Sequence, residues 1–565
     1  MKIHLTDSRR LTGPNLYWRL PAAIIDAEVK DVDVNAVVAC WKKHVRHYMD
    51  AVGWQREHAI YRIFEGGVSL LLSASIDVLY AATEVNEAAL NDCIAELKGE
   101  PAADFDAEVG RLGAAIFAEE QPALLALQEA ALANGKRFLW DDDEVSVGYG
   151  ATCLVWPASE LPDPSEINWE SIGSIPVALV TGTNGKSTSV RLAASVLNAA
   201  GFTTGVTSTD YIRVGDDVID AGDYSGPGGA RTLVRDKRTD AAVLEIARGG
   251  LLRRGLGVNE ADAVLITNVT ADHLGEYGIN TIPELIEAKF IVRKAINSRQ
   301  PLILNADDMG IVDHVAGMDQ RIIWFSEYRD NPVLQRHLAS GGEAAIADEG
   351  KILWLNGLDE MIIAQISEIP ITLNGAAHHN VQNALGVTAL AMALGVSPVA
   401  IAKGLCAFSG SERDNPGRGN IFRGHGIHVL VDFAHNEAGV NALMNTVRKM
   451  PVNRRLIMMS QAGDRSDSIM WDMVHSAMQS SPDCMIMCEI PGYERGREPG
   501  EVSRLMAGFA MELGMPDSAI LYANSPIEGA EKALDWARDG DLLLLLALTQ
   551  RDQVFSLLKE RGYGS

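Results

Sequence analysis

Apolar residues along this chain recur in two rhythms, and their order predicts three folded units. Compact apolar runs bounded by turn residues read as buried strands, and stretches repeating every 3.6 residues read as amphipathic helices. Residues 1–163 mix the two without alternation. Strands are expected at 22–25 and 59–64, and helices at 112–120 and 123–134, the second opened by Pro122 in its first turn. The stretch 156–174, rich in Pro, Ser and Glu, reads as a linker. From 175 to 418 strands and helices alternate: apolar runs at 175–179, 241–246, 263–268 and 302–305, and a helix at 190–200. Such alternation predicts a mostly parallel sheet with helices on both faces. It resumes over 419–565, with strands expected at 428–433, 455–460, 484–488 and 541–547. The predicted fold class is therefore α/β, with an N-terminal α+β domain, a central parallel-sheet domain and a smaller Rossmann-like C-terminal domain.

Composition narrows the function classes. The chain has 565 residues, 47% of them hydrophobic, so three sizeable cores are possible. The formal net charge of −26 argues against nucleic acid and anionic membrane as partners. No apolar segment follows the first ten residues, and the longest apolar run, 542–548, is far too short to span a bilayer. A cytoplasmic protein is expected. The six cysteines lack zinc-site spacing and read as buried free thiols.

The strand at 175–179 runs into TGTNGKST (181–188), and a helix follows. A strand, a glycine turn, Lys-Ser and a helix together form a phosphate cradle. Backbone N–H groups and the helix N-terminus face the anion, the ammonium of Lys186 reaches the terminal phosphates, and the Ser187 hydroxyl suits Mg²⁺. Val180 stands where an ordinary P-loop has its first glycine. Glu245 ends the apolar run 241–246. A carboxylate at that end of a parallel strand, beside a phosphate loop, is placed to hold the metal. Then comes ARGGLLRRGLG (247–257), whose glycines allow close backbone approach and whose Arg248 suits a substrate carboxylate or phosphate. Arg231, after Gly226-Pro227, is a second candidate carboxylate clamp.

Eight motifs in order, from Thr181 to Arg465, resemble the Mur ligase superfamily and, within it, the cyanophycin synthetases. They include TNVTADHL (267–274), NADD (305–308), HNVQN (379–383), PGRGN (416–420), DFAHN (432–436) and GDR (463–465). The resemblance implies ATP and Mg²⁺ as cofactors, a P-loop-type central domain over 175–418 and a C-terminal domain over 419–565. It implies nucleotide contacts from Thr183, Asn184, Gly185, Lys186, Ser187, Thr188, Asn305, Asn380, Arg418 and Asp432. Mg²⁺ ligands would be Ser187, Glu245 and His273, and Lys289 is the position that is often carbamylated. Arg248, Arg231, His435 and Arg497 are the substrate candidates, and Lys186, Glu245, His273 and Lys289 the catalytic ones. The implied activity is ADP-forming ligation of a small carboxylate to an amine, by a homo-oligomer. A non-catalytic scaffold and a folate- or murein-type ligase are the alternatives.

Outside the Mur-like part, LTGPNLYW (11–18) and the segment 133–150 also resemble cyanophycin synthetases. The ATP-grasp machinery expected between that segment and the Mur-like part is missing, which implies one ATP site instead of two. An HxxEH-like hydrolase element is replaced by SASID (73–77), so no hydrolase site is expected. The segment before Arg495-Gly496-Arg497 holds few acids, which argues against arginine as the amine.

Overall fold

The computed structural model describes residues 2–564. Its central unit is an eleven-stranded sheet. From one edge the strands run Asp217–Ala221, Tyr211–Val214, Thr204–Thr207, Ala241–Glu245, Val177–Thr181, Ala263–Ile266, Leu302–Asn305, Ile322–Ser326, Glu343–Asp348, Lys351–Asn356 and Asp359–Gln365. Thr204–Thr207 through Glu343–Asp348 pair in parallel, and antiparallel hairpins extend both edges. Parallel strands need crossover connections, usually helices, and here these cover both faces and bury the strands from Thr204–Thr207 to Leu302–Asn305 completely. Lys186–Ala199, His378–Ala393 and Pro398–Ala407 close one core, and the helices between 227 and 314 close the other.

The C-terminal unit repeats this logic with six strands, in the order Arg418–Gly424, Ile427–Asp432, Leu542–Leu546, Arg455–Ser460, Cys484–Cys488 and Ile520–Ala523. Its five consecutive leucines form an interior strand, flanked in parallel by two neighbours and buried on both faces. Full burial of each contributes about 1.5–3 kcal/mol. Arg418 opens the first strand of this sheet rather than closing the central domain.

The N-terminal unit is a four-stranded antiparallel sheet (Lys2–Leu11, Ala22–Lys30, Gly67–Ser73, Ala59–Phe64) under the helices Val34–Ala51 and Leu79–Lys98. The stretch 156–174 is not a free tether. Trp156, Leu161, Ile167 and Trp169 pack on the N-terminal core and Ile172 is buried within it, because aromatic and branched residues among its prolines have apolar surface to bury. The strand Leu154–Pro157 thus connects to Val177–Thr181 through packed turns and the short 3₁₀ helices Pro164–Glu166 and Trp169–Ser171. All six cysteines are free. Cys40, His44 and Glu96 bring ligand atoms within 4.8 Å of one another, but Lys43 already holds Glu96 at 2.6 Å and Cys40 donates to the Cys93 carbonyl. No helix among the described residues is long and apolar enough to cross a membrane.

The segment 11–18 fastens the first unit to the second. Thr12 N donates to the Arg254 carbonyl at 2.8 Å, Leu256 N donates to the Pro14 carbonyl at 2.8 Å, and Lys294 Nζ donates to the carbonyl of Leu16 at 3.0 Å. Asn15 holds the turn itself: its side-chain oxygen accepts from Tyr17 N and Trp18 N.

Candidate active site

The phosphate loop connects the interior strand Val177–Thr181 to the helix Lys186–Ala199. Its shape is enforced by contacts on two sides. Gly182 (φ 148°) and Gly185 (φ 85°) have backbone angles that favour glycine, and a Cβ on either would lie 2.0 Å from Thr267 Oγ1 or 2.3 Å from Asn383 Oδ1. Thr183 N donates to the Asn268 carbonyl at 2.8 Å and Asn184 N to Asn268 Oδ1 at 3.0 Å. The TN of TNVTADHL therefore braces the loop from the next strand.

A cleft of about 620 Å³ opens above this loop, between the central and C-terminal units. Thr183 to Thr188, Glu245, Arg248, Asp272, His273, Lys289, Arg418 and His435 all line it. Lys186 is folded back, donating to the Thr183 carbonyl at 2.9 Å. Burial pulls its pKa down, opposed by the charges of Glu245 and Asp272. Glu245 is 1% exposed, and Ser187 Oγ donates to its Oε1 at 3.1 Å while its Oε2 has no partner among the described residues. A buried carboxylate oxygen without a donor is costly. An orphaned carboxylate oxygen beside a hydroxyl is an all-oxygen donor set, which suits Mg²⁺.

Asp272, His273 and His435 form a second group, with ligand atoms within 4.8 Å of one another. His273 sits at φ 51°, and Arg465 of the C-terminal unit donates to its Nδ1 at 2.9 Å. Among the expected metal residues, Ser187 and Glu245 thus stand together and His273 groups with two others. Lys289 is buried, with Nζ donating to the Gly182 carbonyl at 2.8 Å. Burial and the neighbouring Lys186 lower its pKa well below the ordinary lysine value.

An adjoining cavity of about 270 Å³ is lined by Asn184, Gly185, Thr188, Asn380, Arg418 and Asp432, among others. Arg418 and Asp432 are directly opposed across two antiparallel strands. The Arg418 guanidinium lies 4.5 Å from the Phe433 ring centroid. Burial raises the Asp432 pKa, and Arg418 opposes the rise.

Three sequence candidates stand apart from the cleft. Asn305 is spent within the fold: its Nδ2 donates to the Thr267 carbonyl and its Oδ1 accepts from Asp307 N. Arg497 donates to the carbonyls of Gly463 and Arg465 and to Asp467, so it shapes the GDR turn that presents Arg465. Arg231 lies at the seam between the N-terminal and central units, with its guanidinium on Thr12. It cannot clamp a carboxylate in the cleft, because its helix Pro227–Arg235 turns that side chain toward the first domain.

Sequence reasoning assigned no role to Asp272, although it stands within the DHL motif. It also missed Asp210 and Arg551, which line the cleft and pair at 2.6 Å across the two units. Asp210 also pairs with the fully buried Arg191. The two partners are 341 residues apart, so no spacing in the sequence marks the pair.

Residues 180–391 match the Mur ligase middle domain, and residues 417–547 match the Mur ligase glutamate ligase domain. The chain is 34% identical to a cyanophycin synthetase from Synechocystis sp. over 371 residues, which cover 66% of this chain and 42% of the relative. It is 26% identical to a UDP-N-acetylmuramoyl-L-alanyl-D-glutamate–2,6-diaminopimelate ligase from Geobacter metallireducens, over 68% of this chain and 76% of the relative. In structure it is similar to E. coli FolC in complex with DHPP and ADP, with TM-score 0.51 and 18% identity, over 68% of this chain and 89% of that one. The chain thus spans less than half the length of the cyanophycin synthetases it matches.

Proposed function

Through residues 180–391 and 417–547 the chain belongs to the Mur ligase family, and from that premise we propose that it is an ATP-dependent, ADP-forming ligase joining a small carboxylate to an amine. The observation that carries the reading is convergence on one cleft. Lys186, Ser187 and Glu245, with its free oxygen, face the Asp272–His273–His435 group across about 620 Å³.

In this reading the nucleotide lies with its phosphates on the loop 183–188 and its ribose side toward Arg418 and Asp432. Mg²⁺, held by Ser187 and Glu245, would offset phosphate charge. Lys186 leaves the Thr183 carbonyl for the terminal phosphate, and Arg248 orients the acid. The substrate carboxylate oxygen takes the γ-phosphoryl group and ADP departs. The amine nitrogen then bonds to the acyl carbon, inorganic phosphate leaves, and the nitrogen loses its proton. The work asked of the protein is positioning and charge stabilisation. The C-terminal unit, carrying His435 and Arg465, closes the site against water.

Lys289 is the proposed carbamate. Its amine is buried, and burial favours the neutral form that adds to CO₂. The product is an anion within the cleft, with one proton released.

The test is phosphate release from MgATP across a matrix of amino acids and small carboxylates, with mass spectrometry of the products. Pair-dependent release with a new amide mass, lost in Lys186→Ala, is the expected result. ATP binding without release for any pair would point to the non-catalytic scaffold instead.

A further inference from the structure

The expected substrate clamp Arg231 is unexplained by the cleft, and its surroundings are unusual. It is 8% exposed, yet no carboxylate of the described residues lies within 4 Å of its guanidinium. Among the described residues it bonds only to Thr12, at 2.7 Å to the hydroxyl and 3.4 Å to the carbonyl, and its Nε has no partner there. Burial lowers its pKa to about 10, opposed by the more distant charges of Asp141 and Asp142, and the group remains a cation at neutral pH. Holding an unpaired charge away from water is costly, and proteins seldom do so without a counter-ion.

This cation lines a cavity of about 260 Å³ at the seam, together with Arg10, Thr12, Arg254, Pro227 and Gly228. Asp141 and Asp142 share the wall, but both are engaged. Asp141 accepts from Arg235 at 2.6 Å, and Asp142 takes both ends of the Arg10 fork at 2.8 Å. The uncommitted charges in the cavity are therefore positive: Arg231, buried, and Arg254, exposed at the mouth. A doubly charged phosphate would crowd the two aspartates, whereas a carboxylate carries one charge for a planar fork to meet.

We propose that this seam cavity is a binding site for a small carboxylate, separate from the ATP cleft and built around Arg231. The two cavities share one turn: Ser225 lines the cleft, Pro227 and Gly228 line the seam, and Ala247 N, two residues past Glu245, donates to the Ser225 carbonyl at 3.0 Å. A ligand here touches the N-terminal unit through Thr12 and the central unit through Arg231, which gives the first domain a part in ligand recognition.

Calorimetric titration of the full chain without ATP, using L-aspartate, succinate and inorganic phosphate as probes, tests the site. Saturable binding of a carboxylate is expected. It should weaken at least tenfold in Arg231→Gln and in Arg254→Gln, and persist in Arg248→Ala. The last variant separates this site from the ligase reading, since Arg248 lines the cleft and not the seam. Arg254 is exposed, so its variant keeps the fold even where Arg231→Gln does not. In thermal unfolding, the bound carboxylate should raise the melting temperature of the wild type and leave that of Arg231→Gln unchanged. No saturable carboxylate binding, binding of phosphate alone, or equal affinity in the arginine variants would each overturn the proposal.

Discussion

The two walls of the cleft are built differently. On the central side, the phosphate loop is clamped between strand and helix: its glycines abut Thr267 and Asn383, and its N–H groups are tied to Asn268. On the C-terminal side, the wall meets the first through separate polar bonds. Asn184 meets Asn436 at 3.2 Å, Arg465 meets His273 at 2.9 Å, Arg551 meets Asp210 at 2.6 Å and Lys449 meets His378 at 2.8 Å. Apolar packing around a sheet opens only at the cost of a cavity. Partly exposed polar bonds exchange readily for water, each with a small net loss. One wall is therefore a fixed cradle and the other is a jaw able to open for substrates and products.

The largest effect should come from the fixed wall. Glu245→Gln leaves the packing intact but removes the anionic oxygen donor, so turnover should fall by about 10²–10³-fold, the loss typical of a single electrostatic contact in a closed site. A Mg²⁺ titration checks it, because the variant should need a higher concentration for half-maximal rate. An unchanged Mg²⁺ requirement would move the metal to the Asp272–His273–His435 group.

Arg551→Ala tests the jaw. It should lower turnover about tenfold while nucleotide affinity of the central wall changes little, since Arg551 reaches Asp210 and not the loop. Small-angle scattering should report a more open average shape. A matching loss of nucleotide affinity would mean that the two walls act as one.

Lys289 gives a pH test. Folding depresses its pKa, so between the folded value and the ordinary lysine value the unfolded chain binds the extra proton. Stability from this group therefore rises with pH across that window and is lost as pH falls to the folded value. Carbamylation should follow the neutral amine, appearing in ¹³C-bicarbonate NMR as pH rises and vanishing in Lys289→Ala. A signal that persists in that variant would place the carbamate elsewhere.

The smallest effect is expected at Asn305→Ala. Its side chain serves the backbone behind the cradle, so stability should drop by about 1–2 kcal/mol with the KM for ATP unchanged, by denaturant titration and steady-state kinetics. A large rise in KM would return Asn305 to the nucleotide site.

What the sequence determined by itself is local and periodic. Alternating strands and helices named the central and C-terminal folds, because a parallel strand must be apolar on both faces and a crossover must be helical. The central phosphate wall was legible for the same reason: loop, lysine, serine and Glu245 follow strand ends, where chain order dictates position. Only the tertiary structure decided what lies across from what. It moved Arg231 out of the cleft and into the seam, gave Asn305 and Arg497 to the scaffold, and packed 156–174 onto a core. It also brought Arg551 to Asp210 from 341 positions away. Those placements depend on how separate units dock, and docking is settled by the complementary surfaces of whole domains, which no run of neighbouring residues encodes.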